Sequence, residues 1–317
     1  MSPVQEITRP PAAVMLLAIG VHTATLAVCL HVLELGIVSA ACAYVVTSWC
    51  SLLLLVVYLL ISRQHEPTWP KWRMADVLSG WRPYLKLALP GTLMLCAEWW
   101  AFELTMLMAG GVGDVALGAH ALLFQVVAFA FMVPLGLGVA ATVRVGTKLG
   151  EADAAGARTV ARTALGLTLV LELTMTLIVL AASSNIAYVF TSSDEIAESV
   201  AGVMPLSASF MVFDGLQGVF QGILRGCGKQ HWGMAVNLGV WYLAALPTAA
   251  LMCFVLDFGL VGIWCGLALG TAMACGLYSL IFCRTSWERL ENEAAVRVVT
   301  GTSATTSELP TSVDSAT

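Results

Sequence analysis

Long apolar runs, separated by short polar or glycine-bearing breaks, dominate the chain. Eight can be marked, at residues 11–33, 37–61, 84–110, 115–143, 157–183, 196–223, 232–256 and 260–283. Each reaches the roughly 20 residues that an α-helix needs to cross a bilayer. The breaks carry turn chemistry, as in Glu34-Leu35-Gly36, Gly110-Gly111-Val112-Gly113-Asp114, Ser183-Ser184-Asn185 and Asp257-Phe258-Gly259. The pattern predicts an all-α, polytopic membrane bundle.

Placing the cations on this pattern tests the number of helices. Arg9 precedes the first run, and Arg63, Lys71, Arg73, Arg82 and Lys86 lie around the break between the second and third. Arg144, Lys148, Arg158 and Arg162 flank the break after the fourth, and Arg225 and Lys229 the break after the sixth. Arg284, Arg289 and Arg297 follow the eighth, which accounts for all 15 Lys and Arg. With eight crossings every cation falls on one side. A missed or extra helix would scatter them. The opposite breaks hold Glu34, Asp114, Asp194, Glu195, Glu198 and Asp257. The positive-inside rule makes the cationic side cytoplasmic, together with both termini.

Composition agrees. The 317 residues are 59% apolar and only 11% charged, with a mean hydropathy of +0.86, whereas soluble domains carry about 25% charged residues. No basic patch with interleaved aromatics points to nucleic acid, so the expected surroundings are lipid. The nine cysteines fall almost entirely in apolar runs, without a CxxC pair, and read as small packing residues. The N-terminus lacks a cleavable signal pattern. No HExxH, GxSxG or phosphate-loop motif suggests an enzyme, and no cofactor or metal site is expected.

Residues 62–83 carry Trp69, Trp72 and Trp81 among cations, and read as an interfacial linker. Residues 284–317 read as a cytoplasmic, largely disordered tail, Ser/Thr/Ala-rich beyond Val299. The hexamer Leu33-Glu34-Leu35-Gly36-Ile37-Val38 recurs as Leu256-Asp257-Phe258-Gly259-Leu260-Val261. The first two runs therefore look like a second copy of the last two, and such repeats mark secondary transporters. On that reading residues 1–61 are the last two helices of one six-helix unit, and residues 84–283 are a complete second unit. Four helices would precede the start.

Four acids sit well inside runs, away from their ends: Glu98, Glu103, Glu172 and Asp214. One such acid at a helix centre costs about 2.5–3.5 kcal/mol. Glu98 lies roughly 18 Å past Lys86 along its helix, at 1.5 Å per residue, and Asp214 is at a similar depth relative to Arg225. The spacing allows both to share one cavity. Glu103 points about 140° away from Glu98. Glu172 stands alone among Leu and Thr. The plain alternative for each acid is pairing or snorkelling to the surface. The functional reading is ion or proton coupling, because removal from water disfavours the charged form, whereas an ionised acid attracts a cation. Pro90, Pro134, Pro205 and Pro247 interrupt helices, and Gly215, Gly218 and Gly222 form a small-residue stripe suited to close packing. His22, His31 and His120 read as hydrogen-bonded structure, while Asn237 and Tyr242 could line a cavity.

At these residues the chain resembles the eukaryotic branch of the multidrug and toxic compound extrusion (MATE) family. Tyr84 to Pro90, continuing through Glu98-Trp99-Trp100 to Glu103, is similar to the family's seventh helix. Pro134 to Gly150 is similar to its eighth, Asp214 to Gln230 to its tenth, and Asn237 to Pro247 and Gly259 to Trp264 to its last two. The resemblance implies a MATE-like bundle with a complete six-helix C-lobe and two helices of the N-lobe. It implies efflux of organic cations or other xenobiotics in exchange for protons, with sodium as the other coupling ion to consider. It implies roles in coupling and substrate binding for Glu98 and Asp214, with Glu103 as a second acid and Asn237 and Tyr242 as polar positions. Gln125 stands where the animal proteins carry an acid, and Thr147 where the family usually has Asn. The absent N-lobe helices leave a second expectation, a membrane protein derived from this family that does not transport on its own. The expected partners are the lipid bilayer and a small organic cation, with no oligomeric state indicated.

Overall fold

A computed structural model describes residues 9–63 and 81–306, so the reading of 64–80 as interfacial, with Trp69 and Trp72, lies outside the described residues. The helices are α1 (Arg9–Ala27), α2 (Val38–Ser62), α3 (Trp81–Val112), α4 (Asp114–Gly150), α5 (Ala154–Ala181), α6 (Asp194–Gly226), α7 (Gln230–Val255), α8 (Gly259–Arg284) and α9 (Trp287–Thr306). Eight of them, α1 to α8, are long and apolar enough to cross a membrane. Their outward faces are apolar, with Ile37, Leu107, Phe129, Leu177 and Leu243 among the most exposed side chains. That is the inverse of a soluble protein's surface and suits lipid contact.

The chain divides into two compact units at Trp81. In the first, α1 and α2 form a hairpin. Pro10 and Pro11 sit in the first turn of α1, where a missing N–H costs nothing. His22 Nδ1 lies 3.2 Å from the Thr47 hydroxyl and ties the two helices together.

In the second unit α6 is central and packs on α4, α5 and α8. Small residues permit the closest crossing. A Cβ on Gly222 would lie 2.2 Å from the Gly138 carbonyl oxygen on α4. The Thr142 hydroxyl lies 2.8 Å from the carbonyl oxygens of both Gly138 and Gly222, bridging the two helices. The glycine stripe of α6 is thus a packing surface, with Gly218 against Phe131 and Gly215 against Glu172. The apolar runs understated several helices, most clearly α4, which continues past residue 143 to Gly150. Val145 and Leu149 keep it helical beyond the span because they are buried with Ala157, Trp287 and Leu290. Asp153 then caps α5 by accepting the Gly156 amide at 2.7 Å, and that bond holds its carboxyl below the usual carboxylate range.

The repeated hexamers share a backbone conformation. Before each, the helix widens into a π-turn, at Val28–Val32 and Leu251–Val255. The amides of Leu33 and Leu35 donate to the carbonyls of Val28 and Cys29; those of Leu256 and Phe258 donate to the equivalent carbonyls of Leu251 and Met252. The acid and the glycine are left-handed in both, at φ 50° and 55° for Glu34 and Gly36 and 59° and 51° for Asp257 and Gly259.

The expectation of a largely disordered tail over 284–317 is corrected: Trp287–Thr306 is a helix. Trp287 and Leu290 are buried, Glu291 accepts the Ala154 amide at 3.1 Å, and Glu293 takes Lys229 at 2.6 Å and Arg289 at 3.3 Å. Ser286 begins the helix by accepting the Arg289 amide at 3.4 Å. A low overall hydropathy masked an apolar stripe at Trp287, Leu290 and Ala294. Residues 307–317 lie outside the described residues.

Two expectations follow. Gly222→Ala should destabilise the protein by about 1–3 kcal/mol through overpacking, whereas Gly136→Ala, with open space around it, should leave stability unchanged or raise it by about 0.4–1 kcal/mol. Thermal unfolding in detergent checks this; equal losses would contradict the close crossing. The second concerns pH. Lys229 holds the Glu293 carboxyl below its ordinary range. The docking it provides should be complete above the ordinary glutamate range and lost as pH falls through the depressed value. Hydrogen exchange of the α9 amides should report the loss, and protection unchanged into strong acid would contradict it.

Candidate functional site

Glu98, buried in the middle of α3, is held by side chains from other helices. Gln217 Nε2 of α6 donates to its Oε1 at 2.7 Å, and Gln221 Nε2, one turn on, donates to its Oε2 at 2.8 Å. Asn237 Nδ2 of α7 donates to the same Oε2 at 3.3 Å and to the Met94 carbonyl at 2.8 Å. The Tyr278 hydroxyl of α8 donates to Asn237 Oδ1 and lies 3.2 Å from the Gly233 carbonyl. Four helices therefore converge on one carboxylate, and amide N–H groups surround it. Gln217 and Asn237 are fully buried and Glu98 is 7% exposed. Arg225, half-buried on α6, interacts with Glu98 across space.

Helical spacing explains how α6 supplies so much. Asp214, Gln217, Gln221 and Arg225 are three or four residues apart and so lie on one face. Asp214 is not among the groups that hydrogen-bond Glu98. It faces a gap too narrow for water, lined by Val127, Phe131, Met211 and Glu172. Asp214 Oδ1 and Glu172 Oε2 are buried without a hydrogen-bond partner. Glu172 seats on the bare backbone at Gly215, where a Cβ would lie 2.5 Å from its Oε1. Asp214 interacts electrostatically with both glutamates.

Aromatic packing closes the site on one side. Phe102, one turn beyond Glu98, meets Trp241 at 5.3 Å and Phe210 at 5.9 Å, and Phe210 meets Trp264 at 5.6 Å. His120 belongs to this layer, 5.6 Å from Trp264 and 3.2 Å from the Thr105 hydroxyl.

Of the candidate residues, the structure brings Glu98 and Asn237 into one network and places Asp214 beside it. Glu103 and Gln125 are exposed on the surface of their unit, outside the network. Tyr242 is half-buried against the apolar core, in the π-helical turn Trp241–Ala245 before Pro247. Gln217, Gln221 and Tyr278 are the participants that the sequence reading missed. The two glutamines carried a signal, their spacing from Asp214; Tyr278 carried none.

The MatE family profile matches residues 90–251. The chain is 35% identical over 310 residues to multidrug and toxin extrusion protein 2 of Mus musculus, covering 98% of this chain and 54% of that one. It is 33% identical over 267 residues to multidrug and toxin extrusion protein 1 of Homo sapiens, covering 84% and 47%. The crystal structure of the eukaryotic MATE transporter AtDTX14 matches with a TM-score of 0.86 at 27% identity, covering 93% of this chain and 66% of that one. The chain thus spans about half the length of the curated relatives it matches. The fold is that of a multi-pass, α-helical MATE membrane protein.

The network predicts its own stability pattern. Tyr278→Phe keeps the ring against Phe220 but leaves Asn237 Oδ1 unpaired, and should cost about 1–3 kcal/mol. Asn237→Leu removes donors from both Glu98 and Met94 and should cost more. Unfolding midpoints equal to the parent's in both variants would contradict the hydrogen-bond assignment.

Proposed function

The chain belongs to the MatE family, and on that premise we propose that it takes part in exporting organic cations or other xenobiotics in exchange for protons. It is a transporter rather than an enzyme. The observation that carries the proposal is Glu98, a carboxylate removed from water whose oxygens accept N–H groups from two neighbouring helices. A proton arriving on Glu98 turns an acceptor into a donor. Oε2 already accepts from both Gln221 and Asn237, so a proton placed there must displace or flip one of those amides. Because those amides belong to α6 and α7, the protonation state of one residue is tied to how three helices pack. An organic cation placed beside the ionised carboxylate competes with the proton for the same charge. Asp214 and Glu172 extend the acidic character along α6.

Proton rather than sodium coupling is supported by the donors. Sodium, like other hard cations, is bound by oxygen lone pairs, whereas the groups converging on Glu98 present N–H. The one-sided distribution of Lys and Arg supports cytoplasmic termini.

A second reading is that the chain binds cations but does not move them alone. One experiment separates the two. The purified chain in vesicles with an imposed pH gradient should accumulate a fluorescent organic cation, and Glu98→Gln or Asp214→Asn should reduce accumulation at least tenfold. Full activity in Glu98→Gln would sink the assignment of that residue. Binding of the cation by the parent chain, weakened in Glu98→Gln but without accumulation in either, would favour the second reading.

A further inference from the structure

A cavity of about 500 Å³ opens where α6, α7, α8 and α9 end together, on the side that carries the cations. Tyr278, which orients Asn237 in the acidic network, is among its lining residues, and the cavity is larger than the gap beside Asp214. Its depth is apolar, formed by Phe220, Ile223, Leu224, Ile281 and Phe282. Its walls include Trp232, half exposed, and Trp287, buried on α9. Its mouth gathers Lys229, Arg284 and Arg289 around a single acid, Glu293.

The charges at the mouth do not cancel. Glu293 takes both Lys229, at 2.6 Å, and Arg289, at 3.3 Å. Arg284 makes no ion pair among the described residues. Three cations against one carboxylate leave an excess of two positive charges at the rim of an apolar slot. The level is also specific: Arg284 ends span α8 and Lys229 immediately precedes span α7, so the rim lies where a membrane's phosphates would be. Tryptophan favours that same depth. The volume falls within the roughly 300–1,000 Å³ range of small-molecule sites.

We propose that this cavity binds one anionic phospholipid, with its phosphate on Arg284 and Arg289 and part of an acyl chain on Phe282 and Ile281. Basic pockets between membrane helices hold anionic headgroups in this way. The position of α9 as one wall makes the bound lipid a stabiliser of tail docking. A soluble phosphate would use the cationic rim but not the apolar depth, which argues for a lipid source.

The full chain, purified in mild detergent, should be titrated with phosphatidic acid, phosphatidylcholine of the same chains, or inorganic phosphate, and bound molecules counted by native mass spectrometry. One phosphatidic acid per chain is expected, retained about tenfold more tightly than phosphatidylcholine. R284Q/R289Q should remove about that preference, E293Q should strengthen it, and R158Q/R162Q, with cations on the same side but outside the cavity, should leave it intact. Unfolding of each variant in phosphatidylcholine confirms that it is folded. Equal retention of the two lipids would overturn the proposal. So would equal loss in R158Q/R162Q, which would mean diffuse charge attraction, or displacement of phosphatidic acid by millimolar inorganic phosphate, which would mean a site for a soluble anion.

Discussion

One constraint organises the second unit: a carboxylate at membrane depth must find hydrogen-bond donors inside the protein. Water is absent there, and an acid left alone costs several kcal/mol. Glu98 meets that demand through Gln217, Gln221 and Asn237. Those donors fix the rotation of α6 and α7 relative to α3, because turning either helix by one residue would move its amides out of reach. Tyr278 extends the constraint to α8 by orienting Asn237. The glycine crossing of α4 on α6 then holds the donor-bearing helix on a neighbouring face, about 100° round from the glutamines.

Much of this was legible in the sequence. Apolar runs and one-sided cations predicted the spans, since a bilayer demands length and hydrophobicity whatever the packing. The repeated hexamer predicted a shared backbone, and both copies show the same π-turn followed by left-handed acid and glycine. The acid inside the third run marked Glu98 because its cost in lipid is large and visible in one dimension. Its partners were less visible. Gln217 and Gln221 belong to the site only because α3 faces that side of α6, and nothing local to either helix says so. Glu172 looked isolated among Leu and Thr, yet tertiary packing sets it beside Asp214. Glu103 and Gln125 carried the same polar signal as buried residues but lie exposed. The tail failed for a different reason: two buried side chains, Trp287 and Leu290, dock a helix whose average composition is polar.

The structure also separates two kinds of charge chemistry. Within the bundle, three acids gather around α6, with Arg225 acting on Glu98 across space, and each change of protonation is felt by neighbouring side chains. At the membrane boundary, cations collect around the docked tail, where Glu291 and Glu293 tie it to α5 and to the start of α7. The first arrangement suits exchange, because the protonation of one carboxylate is tied to side chains on α6 and α7. The second suits anchoring, because its charges keep their sign over the physiological range.

On the proposed function, Glu98 trades a proton for a cation. Its most direct measurement is proton release on adding an organic cation to the purified chain in weakly buffered solution, read with a pH-sensitive dye. Release should saturate with cation binding and be abolished or strongly reduced in Glu98→Gln. Cation binding without release, or release undiminished in Glu98→Gln, would contradict it.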